Sequence, residues 1–212
     1  MPITYLLPSV SVHLINNSGS VQTISDTLVI PSLNFGRSAS DLITTCSFSV
    51  PGAHDIPLVP PQTLALEYEN VVRFHGVVTD CSITWQGGIA NTTIEAADMS
   101  YLLSHKLVPV LLADYLPHQV GMCDFTGVSV YNIVSDMLTG TGILAGDKVS
   151  GYSGNIEYSQ EFEPGTTRLQ VIQRIADEIG YTAFLYYTKV EGVYYSSLYF
   201  GPFSGIDTSE VL

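Results

Sequence analysis

The sequence has few basic residues. It contains 7 Lys and Arg against 20 Asp and Glu among 212 residues, which gives a formal net charge of -13. A protein that binds DNA or RNA neutralises phosphates with clustered Lys and Arg, whereas the basic residues here stand singly along the chain. The composition therefore predicts no nucleic-acid-binding surface and no sequence-specific nucleic acid partner.

Residues that bind metals and cofactors are also sparse. Cys46, Cys81 and Cys123 are widely spaced and form no CxxC pair, so they indicate neither a disulfide framework nor a zinc site. The five histidines are dispersed, without the i, i+2 or i, i+4 spacing that presents two imidazoles to one ion. No glycine-rich phosphate loop occurs. The sequence predicts no metal site and no cofactor.

Long hydrophobic runs are absent. The longest strongly apolar stretches, such as residues 107–113, fall short of the roughly 20 residues that a membrane helix needs. The first residues also lack the basic segment and continuous apolar core of a signal peptide. We therefore expect no membrane span and no secretion signal.

Apolar residues are plentiful. Hydrophobic residues make up 46% of the chain and charged residues 13%, and the mean hydropathy is +0.27. Such a chain can bury a sizeable core and lies far from disordered compositions. Globular chains carry about 25% charged residues, and a charge-poor surface is often covered by partners. The composition favours a subunit of a larger assembly.

The first hundred residues alternate with the period of β-strands. Val10, Val12 and Leu14 share one face of a strand, as do Leu42, Cys46, Phe48 and Val50 in a later one, and Leu64, Leu66 and Tyr68 in the next. Residues 71–86 are long for one strand, and their apolar phase changes at Gly76, which predicts a bulge or bend there. Six or seven short strands with tight turns are typical of a sandwich or barrel.

From Asp98 onward the pattern becomes mixed. Asp98 can cap a short helix that ends before Pro109, and the apolar spacing over 129–139 predicts an amphipathic helix. Residues 156–162 form a short strand in this interpretation. Thr167 and Gln170 have capping-box spacing ahead of an apolar stripe that ends at Gly180. Residues 181–190 and 193–200 then predict a β-hairpin.

Together these patterns predict a mainly β, α+β fold. We expect an N-terminal antiparallel β-barrel or sandwich over residues 1–97. A smaller mixed α/β domain follows over 98–212, with two to three helices and a C-terminal hairpin. The boundary can shift by about ten residues.

Two sets of residues suggest catalysis. Paired carboxylates can hydrolyse glycosides, and the candidates are Glu157, Glu161, Glu163 and Asp177. Those on the 156–162 strand lie opposite its apolar face, which favours solvated side chains. A Cys81 nucleophile with His75 and Asp80 is weakened because Cys81 has the parity of Ile83 and Trp85. We predict no catalytic residues and no enzyme.

Tyrosines crowd the final hairpin. On an exposed sheet face they could stack on sugars or anchor a protein interface, and on a packed hairpin they would be structural. Tyr186, Tyr194 and Tyr199 are the candidate interface residues.

Three segments resemble a known family in their order and separation. They are Phe74-His75-Gly76-Val77-Val78, then Glu95-Ala96-Ala97-Asp98 before Tyr101-Leu102-Leu103, and Thr167-Arg168-Leu169 with Ile172, Ile175-Ala176 and Gly180-Tyr181. Over residues 42–187 the chain resembles the hub proteins of phage tails, also called baseplate hub or late control proteins. In physical terms Gly76, Asp98 and Thr167 are structural residues in these segments.

The resemblance implies a structural subunit that acts in the virion tail after assembly in the host cytoplasm. Such hubs form a ring, typically a homotrimer, that joins the tail tube to a central spike or fibre. They usually continue into a second β-barrel, whereas about thirty residues follow Gly180 here. This implies a compact hub or a fragment of a longer protein. The alternatives are a carbohydrate- or receptor-binding β module and, third, a glycoside hydrolase.

Overall fold

The structure is a computed structural model that describes residues 10–16, 19–24, 33–37, 42–53, 62–108, 123–125, 127–146, 156–159, 161–163 and 165–205. Contacts among the residues divide the chain into two compact units. The first unit draws on residues 1–38, 43–98 and 187–194, and the second on 39–42, 99–186 and 195–212. That residues 1–97 and 98–212 are separate domains stays a prediction.

A seven-stranded antiparallel sheet forms the first unit. Its strands are β1 (Val10–Ile15), β2 (Val21–Thr23), β3 (Asn34–Arg37), β4 (Thr44–Pro51), β5 (Thr63–Tyr68), β6 (Val71–Gln86) and β7 (Ile89–Asp98). They lie in the order β2-β1-β5-β6-β7-β4-β3. Gly87 and Gly88 both have positive φ, which suits the two-residue turn that joins β6 to β7.

The core of this sheet follows the predicted alternation. Buried side chains on one face form a single cluster that includes Val12, Leu14, Cys46, Phe48, Val50, Leu64, Leu66, Phe74, Val78 and Ile94. Tyr68 was predicted to share the face of Leu64 and Leu66, but it is exposed. β5 pairs with β1 in unbroken register through Tyr68, so its alternation is kept, and Tyr68 is exposed because it is the last residue of the strand.

Strand β6 is continuous over sixteen residues but irregular at two of them. Arg73 is skipped in the pairing with β5, and Thr79 is skipped in the pairing with β7. An extra residue in one strand turns the following side chains to the other face. The phase change therefore arises at Arg73 and Thr79, and the prediction of a bulge at Gly76 was wrong, because Gly76 pairs in register on both sides.

Glycine is needed at position 76 because two strands approach each other closely there. A β-carbon at this position would lie 2.1 Å from the carbonyl oxygen of Ala97 and 2.6 Å from the α-carbon of Asp98. Both atoms belong to the backbone of the neighbouring strand, so they cannot rotate away as a side chain could. The close approach of β6 to β7 thus requires glycine.

Among its described residues, the second unit combines three helices with short strands. The helices are α1 (Ser100–Ser104), α2 (Val130–Leu138) and α3 (Arg168–Ile179), followed by a 3-10 turn at Phe203–Gly205. The strands are β8 (Cys123–Asp124), β9 (Val128–Ser129), β10 (Ile143–Ala145), β11 (Glu157–Tyr158), β12 (Glu161–Phe162), β13 (Thr182–Val190) and β14 (Val193–Gly201). The tip of the β13–β14 hairpin, residues 187–194, belongs to the first unit.

Pairing in the second unit is mixed. β14 lies between β13 and β10, and it runs parallel to β10. The single strand expected over 156–162 is two strands, because β11 pairs with β9 and β12 pairs with β8. Together with the large antiparallel sheet, these elements confirm the predicted mainly β, α+β fold.

The two longer helices bury the apolar stripes that predicted them. Ile133, Val134 and Met137 of α2 are buried, as are Ile172 and Ile175 of α3. The Arg168 side chain fastens the end of α2, since its Nη1 donates to the carbonyl oxygens of Met137 at 3.1 Å and Thr139 at 2.7 Å. A cation at a helix C-terminus satisfies carbonyls that have no partner within the helix.

Thr167 is the N-cap residue of α3. Its hydroxyl accepts a hydrogen bond from the Gln170 backbone N–H at 3.3 Å, and its own N–H donates to Gln170 Oε1 at 2.8 Å. This capping box satisfies two backbone donors that the helix leaves open. The spacing of the two residues in the sequence was enough to predict it.

We expect Thr167→Ala to lower the free energy of unfolding by about 1 kcal/mol, because the first turn of α3 loses its side-chain acceptor. Chemical denaturation measures this difference. Thr188→Ala is the control, since Thr188 is exposed on β13 and should change stability by less than about 0.5 kcal/mol. Equal losses in both variants would contradict the capping role.

The side chain of Asp98, the last residue of β7, forms hydrogen bonds to two other elements. Its side chain is fully buried, and its Oδ2 accepts hydrogen bonds from the Thr44 backbone N–H at 2.9 Å and the Tyr187 hydroxyl at 3.2 Å. Helix α1 begins two residues later, and Met99, which already has helical dihedral angles, makes no side-chain capping bond. Asp98 thus fastens β4 and the hairpin tip, and its capping of α1 stays a prediction.

Candidate interaction surface

The β6–β7 hairpin runs beyond the strand that flanks β6. β5 pairs with β6 only as far as Val77, and Val78 donates to the Gln62 carbonyl oxygen just beyond. Past that point β7 is the only described strand beside β6. We call residues Ser82–Asn91 the hairpin end. Along Ser82–Gln86, one edge of β6 faces away from β7 without a neighbouring strand in the described sheet.

Large apolar side chains are exposed on the hairpin end. Trp85 is 69% exposed, Ile89 65% and Ile83 41%. Ile83 and Trp85 continue the face on which Cys81 packs against the core, because these three residues alternate after the bulge at Thr79. The apolar face of the sheet therefore extends past the buried core into solvent.

The hairpin end carries no charge. No charged residue occurs from Cys81 to Ile94, in a chain whose net charge is -13. Exposed edge strands are usually blunted by charged side chains, by proline or by a covering element. Ser82–Gln86 contains neither charge nor proline.

None of the three tyrosines predicted as interface residues is fully exposed. Tyr194 and Tyr199 are buried, and the Tyr199 hydroxyl donates to the Pro202 carbonyl oxygen at 2.7 Å while its ring stacks on Phe184. Neither offers an exposed ring in this chain, and their role as interface residues stays a prediction. The hairpin was predicted from strand alternation, which cannot tell a packed face from an open one. Tyr186 is half-buried, and its interface role stays a prediction.

Tyr194 belongs to a buried polar cluster around Glu67. Glu67 is 6% exposed, and its Oε1 accepts hydrogen bonds from Lys189 Nζ and from the Tyr194 hydroxyl, both at 2.6 Å. His13 Nε2 lies 3.7 Å from the same oxygen. Sequence reasoning missed this cluster, because its members come from β1, β5 and the hairpin tip and follow no motif.

Electrostatics fix the charge states in this cluster. Burial raises the pKa of Glu67, but the hydrogen bonds from Lys189 and Tyr194 hold the pKa below its usual value. Burial lowers the pKa of His13 despite the attraction of Glu67, and burial lowers the pKa of His75 to about 4. At neutral pH the cluster therefore contains a charged carboxylate, a charged ammonium and a neutral His13 imidazole, and the His75 imidazole beside Tyr194 is neutral as well. This arrangement holds the hairpin tip on the sheet.

The candidate nucleophile and base lie on opposite faces of β6. His75 lies beside Tyr194, with 6.2 Å between ring centroids, whereas Cys81 packs against the core on the opposite face of β6. Glu157, Glu163 and Asp177 have exposed side chains, and the side chain of Glu161 lies outside the described residues. Within the described residues, no group of three or more His, Cys, Asp and Glu side chains could hold a metal ion.

One cleft of about 270 Å³ lies against β3, β4, β6 and β7. Small and polar residues line it, together with Cys46 and Glu95. Burial raises the pKa of the Cys46 thiol to about 12, so the thiolate needed for nucleophilic attack is not formed near neutral pH. In the parts of the chain that are described, no helix is long and apolar enough to cross a membrane.

Two solved structures have a similar fold. The 43 kDa tail protein of prophage MuSo2 from Shewanella oneidensis aligns with a TM-score of 0.59 and 13% identity, over 90% of this chain and 53% of that protein. A tail protein from Neisseria meningitidis MC58 aligns with a TM-score of 0.59 and 12% identity, over 90% of this chain and 50% of the other. No protein-family model and no curated protein matches the sequence. The chain has the fold of these tail proteins and spans about half the length of each.

Proposed function

We propose that this chain is a structural subunit of a phage or phage-like tail. The observation that carries the proposal is the fold that 90% of the chain has in common with two tail proteins. Fold alone does not assign a function, so the composition matters as well. A charge-poor chain whose apolar sheet face extends into solvent suits a protein that works in contact with other subunits.

Within the tail, we propose the hub ring between the tail tube and the distal spike or fibre. The support is the order of the three segments that begin near Phe74, Glu95 and Thr167, which resembles that of hub proteins. The partners are further copies of this chain, most simply two others in a homotrimer, with tube proteins on one side and spike or fibre proteins on the other. The net charge of -13 suits a ring through which DNA passes without binding.

The role is structural and not enzymatic in this proposal. Among the candidates whose side chains are described, the nucleophile Cys81 and the base His75 lie on opposite faces of β6, and three of the carboxylates are exposed. Burial of Tyr194 and Tyr199 also weakens the support for a sugar-binding module.

Labelling of assembled tails tests the hub position. A tagged copy of the chain is expressed in the strain that encodes it, tail particles are isolated, and gold bound to the tag is located by electron microscopy. We expect gold at one place, the end of the tube distal to the head, and loss of that distal structure when the gene is deleted. Gold along the whole tube, or its absence from the particles, would refute the hub position.

A further inference from the structure

We propose that the hairpin end, Ser82–Asn91, is the surface by which one copy of this chain binds a second copy. This inference rests on the ring proposed above and adds the surface that forms it. Two independent features of this segment carry the inference: its uncovered strand edge makes it a binding surface, and its lack of charge indicates the partner.

The first feature is the uncovered edge. The backbone N–H and C=O groups on one side of Ser82–Gln86 have no described strand beside them, and such an edge can add a strand from another chain. Ile83 and Trp85 stand on the same segment and are exposed. Tryptophan is among the residues that contribute most to binding when buried at an interface. Pairing at this edge would cover the open backbone groups and the exposed side chains at the same time.

The second feature selects the partner. Two copies of a chain with net charge -13 repel each other wherever acidic surfaces meet. The hairpin end is free of charge, so copies can approach there without bringing carboxylates together. A basic partner would be favoured by an acidic surface instead. The absence of charge therefore favours a second copy of this chain.

Ring closure defines how the copies meet. In a closed trimer each copy uses one surface to contact a different surface of the next. The hairpin end is one of these surfaces. The outer edges of β2 and β3 each lie at an end of the described sheet, so either can receive the hairpin of the neighbouring copy by strand addition.

The sequence provides its own probe, because Trp85 is the only tryptophan in the chain. The full 212-residue protein is diluted through a concentration series, and native mass, tryptophan emission and quenching by acrylamide are recorded on the same samples. We expect the emission to shift to shorter wavelength and quenching to fall as mass rises, with one shared midpoint. The single indole is then shielded by association itself.

Matched substitutions assign the effect to the hairpin end. Ile83→Glu should weaken association by about tenfold or more, because it puts a charge into the contact. Val71→Glu is the control, since Val71 is 49% exposed at the opposite end of the same strand and should associate like the wild type. Both positions are exposed, so thermal unfolding should change little in either variant.

The outcomes separate this inference from the proposed function. Association with Trp85 still open to acrylamide, or equal weakening by both glutamates, would refute the hairpin end as the contact and leave a ring built on another surface. A single-chain mass at every concentration would refute the self-contact and would also contradict the ring.

Discussion

Gly76→Ala should lower the free energy of unfolding by about 3 kcal/mol or more, or prevent folding. The added methyl group would lie 2.1 Å from the Ala97 carbonyl oxygen and 2.6 Å from the Asp98 α-carbon. Relief requires β6 and β7 to separate, which breaks pairing at the centre of the large sheet. Gly76→Val extends the same clash and should leave the chain insoluble.

Gly88→Ala separates this effect from the ordinary cost of removing a glycine. Gly88 has a φ of +82°, and no atom lies within 4 Å of the site of an added β-carbon. The cost there should be about 1 kcal/mol, from left-handed backbone strain alone. Urea denaturation of both variants measures the contrast. Similar losses at Gly76 and Gly88 would refute the close approach of β6 and β7.

Acid should destabilise the protein well before its carboxylates are protonated. Burial lowers the pKa of His75 from 6.5 to about 4, so between these values the unfolded chain binds a proton that the folded chain does not. Stability is then fully present above pH 6.5 and is lost as the pH falls, by about 1.4 kcal/mol per pH unit. By pH 4, the protonation of His75 in the unfolded chain lowers the free energy of unfolding by about 3 kcal/mol relative to neutral pH.

Two members of the polar cluster around Glu67 act in the same direction as His75. The pKa of His13 is lowered by burial, which adds to the loss below its ordinary value. The pKa of Glu67 is also lowered overall, so its stabilising charge is lost only at still lower pH. The cluster is thus intact at neutral pH and weakened progressively by acid.

Urea denaturation from pH 7.5 to pH 4 measures this dependence. His75→Gln should flatten the profile, whatever it does to stability at neutral pH, because the buried imidazole is gone. His105→Gln is the matched control, since the His105 side chain is exposed and the wild-type slope should remain. A wild-type stability that stays constant or rises toward pH 4 would contradict the buried neutral state of His75.

Local structure was predictable from the sequence because short-range chemistry sets it. The Thr167–Gln170 spacing gave the start of α3, and the strand patterns over 181–190 and 193–200 gave the β13–β14 hairpin. Strand alternation gave the faces of β1 and β4. In each case the signal lies within a few residues, where side-chain reach and backbone preference decide the outcome.

Long-range arrangements were not predictable in this way. Glu67 meets Lys189 122 residues later in the chain, and the parallel pairing of β10 with β14 likewise depends on the whole fold. A single bulge or bend was predicted at Gly76, whereas the two irregularities of β6 fall at Arg73 and Thr79, because a phase change marks only the interval in which an extra residue falls. The exposure of Trp85 could not be predicted for a similar reason. Strand alternation shows which face a side chain lies on, but it does not show whether that face is covered.

Native mass over a concentration series of the full chain tests most directly whether the protein forms a ring. We predict a closed oligomer of fixed stoichiometry that does not grow further at high concentration, with a mass of three times the 23.0 kDa of one chain for the trimer. A mass of 23.0 kDa at every concentration would contradict the proposed hub ring.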